Sequence, residues 1–155
     1  MRIAVAADHN GIEFNARLLL WLRERGRETF DAGAHDPGVV VGYPPLCAVI
    51  SRRVAHEEAE FGYRDRRRQR AGRGDRVQQD PWVRAGLAYN HFAVEITRGN
   101  DDANVMVLGT KVFGDDQALA LVELWLGTPF KGRQHADRAA MISELEITEL
   151  ESAPE

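Results

Sequence analysis

Short apolar runs alternate with longer amphipathic stretches along the whole chain, and this alternation restricts the fold more than any other feature. RIAVAA (residues 2–7) and NVMVLG (residues 104–109) are apolar on nearly every position, as expected for strands buried on both faces. IEFNARLLLWLRERG carries Phe14, Leu18, Trp21 and Leu22 at helical spacing, and Gly26 closes it. ETFDAGAHDPG reads as a second short strand and a loop, with VVV just beyond. Pro44 and Pro45 suit the first turn of a helix whose apolar side is Leu46, Val49, Ile50 and Val54. VRAGLAY predicts a strand and NHFAVEITRG a helix. DDQALALVELWLGT predicts another helix, with acidic residues in the first turn where the helix dipole favours them. GRQHADRAAMISELEITELESAPE is predicted helical to about its final turn and ends strongly acidic. Such a pattern implies a parallel sheet covered by helices on both faces.

In sheets of this kind ligands bind beyond the carboxyl ends of the strands. Those ends carry Asp8-His9, Tyr89-Asn90-His91 and Gly109-Thr110-Lys111. With 155 residues, 44% hydrophobic and 28% charged, and neither repeat nor linker, one domain is expected, able to bury a core without staples. Cys47 is the only cysteine, which excludes a disulfide framework and a cysteine metal site. No apolar run approaches the roughly 20 residues that span a bilayer. MRIAVAADHN turns polar too soon for a signal peptide, so a cytoplasmic protein without membrane contact is expected. The net charge of −4 gives no global reason to expect nucleic acid.

One stretch breaks the pattern. Residues 61–82 read FGYRDRRRQRAGRGDRVQQDPW, and seven arginines and two aspartates fall between Arg64 and Arg76 with Ala71 the only aliphatic residue. An arginine run is usually a solvated loop or a patch for phosphate-bearing partners. A loop at this place would delete a central strand and strip core from both sheet faces. Single-strand nucleic-acid binding is the least favoured use, because no aromatics interleave the arginines as stacking platforms.

The flanking residues resemble a known family. MRIAVAADHNG, GYPPLC, VRAGLAYNHFAVEITRGNDDANVMVLG and the spacing to TPFKGRQHADR are similar to the ribose-5-phosphate isomerase B and galactose-6-phosphate isomerase family. The resemblance runs from residue 1 to 142, interrupted only by the arginine stretch, and leaves 143–155 as an acidic helix end and tail. It implies a three-layer α/β/α sandwich with a five-stranded parallel, Rossmann-like sheet, working as a homodimer with active sites at the interface. It implies no metal and no cofactor. The reaction it implies opens a cyclic sugar phosphate and moves a proton between C1 and C2 through an enediolate. That chemistry needs a base, a group at the ring oxygen, donors for the enediolate and a cationic clamp for the phosphate.

Carried over residue by residue, Asp8 and His9 match the family's sugar- and phosphate-contacting pair, and Tyr43 its substrate-lining tyrosine. Lys111 matches a basic phosphate contact, and His135 with Arg138 an H-x-x-R pair that crosses to the partner's phosphate site. Gly42 stands where the family usually has an acidic residue. Asn100 and Asp101 occupy slots where a histidine and an asparagine are usual, Asn100 in the ring-opening position. An asparagine hydrogen-bonds a ring oxygen but exchanges no proton near neutral pH. His91 is the alternative for that role. Ribose, allose and galactose phosphates all remain open as substrates.

The arginine stretch replaces a strand, a glycine-rich anion loop bearing the catalytic Cys or Glu, and a helix start. The base is therefore expected within residues 63–82, yet no such residue or loop is legible there. Back-translated with permitted codons and read one nucleotide later, residues 63–82 yield IVIGGGSGQGEAIASNKIPG, with the original frame resuming at Val83. This peptide is an apolar strand, a glycine loop, a glutamate and a helix start, one glycine longer than the family loop. The stretch reads as a local frameshift, natural or arising in sequencing, and a chain that carries it is expected to be a poor isomerase.

Overall fold

The computed structural model describes residues 1–65, 82–110 and 112–152. The elements run β1 (Arg2–Ala6), α1 (Ile12–Glu24), β2 (Glu28–Asp31), α2 (Tyr43–Ala55), β3 (Phe61–Asp65), β4 (Ala85–Leu87), α3 (His91–Gly99), β5 (Val105–Leu108), α4 (Asp115–Gly127) and α5 (Gln134–Ser152). The five strands form one parallel sheet in the order β2-β1-β3-β5-β4. This is the α/β architecture that the alternation of apolar runs implies.

Strand residues of alternate parity feed two separate cores, because successive side chains leave opposite faces of a sheet. Ile3, Val5, Tyr63, Met106 and Leu108 meet Phe14, Leu18 and Leu22 of α1, Val94 of α3, and Leu121 and Trp125 of α4. Ala4, Ala6 and Val105 meet Leu46, Cys47, Ile50 and Val54 of α2. The alanines of β1 let α2 approach closely on this second face. On the surface, Arg17 of α1 reaches both Asp115 and Asp116 in the first turn of α4. The hydrogen bond to Asp116, then that to Asp115, raises the Arg17 pKa above its ordinary value.

The central slot is filled by Phe61–Asp65, two residues earlier than the start of the 63–82 segment, whose arginines would be costly to bury. The register explains the choice. Ile3 pairs with Phe61 and Val5 with Tyr63, which turns both aromatic rings to the first core. Tyr63 is buried, with its ring centroid 6.1 Å from that of Phe14. Of the arginines, only Arg64 falls in the strand, where its backbone pairs with Ala6 and Val107. Residues 66–81, which hold the other arginines, lie outside the described residues.

Gly62 sits where α2 crosses β3. A Cβ there would lie 2.4 Å from Ile50 Cγ2 and 3.1 Å from Val105 Cγ2. Gly62→Ala should therefore force α2 off the sheet and destabilise the protein by about 1–3 kcal/mol, as overpacking does. A lowered urea midpoint with an unchanged slope is the expected measurement.

Candidate functional site

Parallel strands sort every connection to one of two edges, and the candidate residues divide between them. At the carboxyl edge, the chain leaving β1 turns sharply: Asp8 Oδ1 accepts from the Asn10 backbone N–H at 2.8 Å, and the Asp8 carbonyl from Gly11 N–H at 2.9 Å. Gly11 then caps α1. The loop after β2 braces this turn, since Ala7 N–H donates to Gly33 O at 2.9 Å and Ala34 N–H donates back to Ala7 O at 2.6 Å. The Asp31 carboxylate holds that loop by accepting from Gly33 N–H at 2.9 Å and from buried Asn15 Nδ2 at 3.1 Å.

His9 presents a defined donor at this edge. Asn10 Nδ2 lies 3.0 Å from His9 Nε2. An amide nitrogen only donates, so in this pairing Nε2 accepts, which leaves Nδ1 as the ring nitrogen that can donate. Nδ1 is buried and meets no partner among the described residues. A buried N–H of this kind is suited to a ligand oxygen. Tyr43 is the first residue of α2 at the same edge, half-buried against the second core. His91 is likewise the first residue of α3, exposed, beside the Asn90 side chain that caps the helix through Ala93 N–H at 2.8 Å. Lys111, beyond β5, lies outside the described residues, as do most of the positions expected to hold the base.

Asn100 and Asp101 lie at the opposite edge, between the end of α3 and the start of β5. Asp102 turns the chain there with a left-handed φ of 49°. Its carboxylate accepts from Arg84 at 2.7 Å and from Arg98, and its carbonyl accepts from Arg84 Nε at 3.0 Å. Lys131 closes the turn from the other side, donating through its backbone to Gly99 O at 2.9 Å and through Nζ to Asn100 Oδ1 at 2.7 Å. Lys131 through His135 line an open depression of ≈ 530 Å³ on this side, and Arg138 stands exposed one turn along α5. Neither Lys131 nor the Arg84–Asp102–Arg98 cluster was singled out from sequence. Lys131 reaches Asn100 and Arg84 reaches Asp102 across long stretches of chain, which leave no local pattern to read; only the Arg98–Asp102 pair, four residues apart, had a local spacing.

One chain therefore places Asp8, His9, Tyr43 and His91 at one edge of the sheet, and Asn100, Asp101 and His135 at the other. A five-residue strand separates the edges by about 16 Å. The two sets cannot surround one small ligand within a single copy.

The chain from 3 to 64 and from 71 to 142 matches the family model described as Ribose/Galactose Isomerase, and the break falls inside the arginine stretch. It is 26% identical over 151 residues to ribose-5-phosphate isomerase B of Mycobacterium tuberculosis, covering 96% of this chain and 91% of that protein. It is 26% identical over 147 residues to ribose-5-phosphate isomerase B of Escherichia coli, covering 94% and 96%. The structure superimposes on that of Clostridium thermocellum ribose-5-phosphate isomerase B with a TM-score of 0.89 at 30% identity, covering 96% of this chain and 99% of that one. On its sequence and its fold, the chain belongs to the ribose/galactose isomerase family of sugar-phosphate isomerases.

Proposed function

We propose that this chain binds a ribose 5-phosphate type of sugar phosphate in sites shared across a homodimer, and that as written it isomerises that ligand poorly. Asp8, His9 and Tyr43 of one copy hold the sugar, with Lys111 at the phosphate. Asn100, Asp101, His135 and Arg138 come from the other copy. The observation that carries this reading is the division of the candidate residues between opposite edges of the sheet. A second copy placing its amino edge over the carboxyl edge of the first would unite them.

In the intact reaction a base removes the C2 proton of the opened aldose, the enediolate charge is met by backbone N–H groups, and the proton returns at C1. Binding needs only the residues outside the anomalous stretch, whereas the proton transfer needs the base and the glycine loop within it. The clamp should therefore outlast catalysis. Ribose 5-phosphate should raise the melting temperature while ribose does not, since a ligand at 100 times its Kd stabilises the native state by about 2.7 kcal/mol. Equal shifts with both sugars, or none with either, would overturn the reading. Salt-dependent binding to unrelated oligonucleotides would instead move the function to the arginines.

A further inference from the structure

The Asn100–Lys131 contact has a chemical consequence for the ring-opening position. An asparagine side chain is two-faced: its oxygen only accepts and its nitrogen only donates, and a half-turn of the amide exchanges them. A furanose ring oxygen bears lone pairs and no hydrogen, so only the nitrogen face is useful to it. Lys131 Nζ is donor-only and lies 2.7 Å from Asn100 Oδ1. It thereby holds the oxygen turned toward itself, and no described residue accepts from Nδ2. The lysine is itself well placed. Its backbone N–H donates to Gly99 O at 2.9 Å, and its stem crosses over Gly99, where a Cβ would stand only 3.2 Å from Lys131 Cε.

We infer that Lys131 is a positioning residue for sugar recognition: it locks the Asn100 amide so that Nδ2 donates to the ring oxygen of a cyclic sugar phosphate. The inference rests on the proposed shared sugar-phosphate site and adds a specificity to it. In place of a proton-exchanging group, the Lys131–Asn100 pair supplies an oriented donor whose charge-assisted anchor polarises the amide toward the ring. An acyclic polyol phosphate makes no such demand. Its hydroxyl at the same position both donates and accepts, so it pairs with either face of Asn100.

The test compares Kd for ribose 5-phosphate, which is cyclic, and ribitol 5-phosphate, which has the same carbons and phosphate without a ring, by calorimetric titration of the full chain. Lys131→Met should weaken ribose 5-phosphate by about fivefold to tenfold, the range of one hydrogen bond, and leave ribitol 5-phosphate within about twofold. Asn100→Leu should show the same selectivity, and adding Lys131→Met to it should cost nothing further. Lys131→Arg, still donor-only, should retain ribose 5-phosphate binding. Lys131 is exposed, so the variants should keep the parent melting temperature. Equal losses for both ligands would make Lys131 a general phosphate attractor and overturn the inference while leaving the shared site standing, as would unchanged binding of both. Failure of the unaltered protein to bind either ligand would overturn the shared site and the inference with it.

Discussion

Replacing residues 63–82 with IVIGGGSGQGEAIASNKIPG should raise ribose 5-phosphate turnover by about 10⁴-fold or more. A positioned base contributes a factor of about 10²–10⁴. Each backbone donor aimed at a developing oxyanion contributes about 3 kcal/mol, or a further 10². The written chain supplies neither group in legible form, and the replacement supplies both. The same exchange should stabilise the fold. Arg64 and Asp65 pair with Ala6, Val107 and Leu108 across the centre of the sheet, and all three neighbours are buried. Charged residues suit such slots badly, whereas Val and Ile each gain about 1.5–3 kcal/mol on burial. Against a total stability of about 5–15 kcal/mol, a gain of about 3 kcal/mol or more is easily measured. Denaturant midpoints and turnover of the two proteins, measured side by side, decide the matter. Equal stability and equal activity would defeat the frameshift reading and give the arginines a purpose of their own.

The second large effect concerns α5. This helix makes almost no contact with other elements of its own chain among the described residues, yet Met141, Ile142 and Leu145 are exposed on it, Leu145 at 65%. His135, Arg138, Ile142 and Leu145 recur at steps of three and four, so they share one face. That face suits the proposed second copy: its apolar part would bond the two chains while its first turn would bring His135 and Arg138 to the neighbour's site. Ile142→Glu combined with Leu145→Glu should convert a micromolar dimer to monomer. Loss of two buried side chains per copy removes about 6–12 kcal/mol from the assembly, more than a 10⁴-fold loss of affinity. The melting shift with ribose 5-phosphate should vanish with it, because one copy holds half the site. Light scattering that finds the unaltered protein monomeric at micromolar concentration would remove the homodimer.

Much of this was legible in the sequence where local pattern and burial coincide. RIAVAA and NVMVLG are strands, and Phe14, Leu18 and Leu22 are the buried stripe of α1. Trp21 belongs to its margin, half-buried with Arg25 stacked 3.8 Å from its ring centroid. In α2 the buried set is Leu46, Cys47, Ile50, Ser51 and Val54, and Val49 faces out, one step of 100° off the stripe. VRAGLAY contracts to a three-residue strand, Ala85–Leu87, with Val83 buried before it. The start of β3 was hidden because its alternation, Phe61-Gly62-Tyr63, is only three residues long before the arginines begin. The edge to which each site residue belongs was also hidden, since it depends on chain direction through the sheet.

Turnover by the unaltered protein, under saturation established from its melting shift, separates ligand binding from catalysis. Ribulose 5-phosphate formation should stay below about 0.1 s⁻¹ while ribose 5-phosphate is bound, given typical enzyme kcat values of about 1–10³ s⁻¹ and a loss of about 10⁴ or more. A kcat at or above about 1 s⁻¹ from the chain as written would contradict the account, because it would place a working base where none is legible.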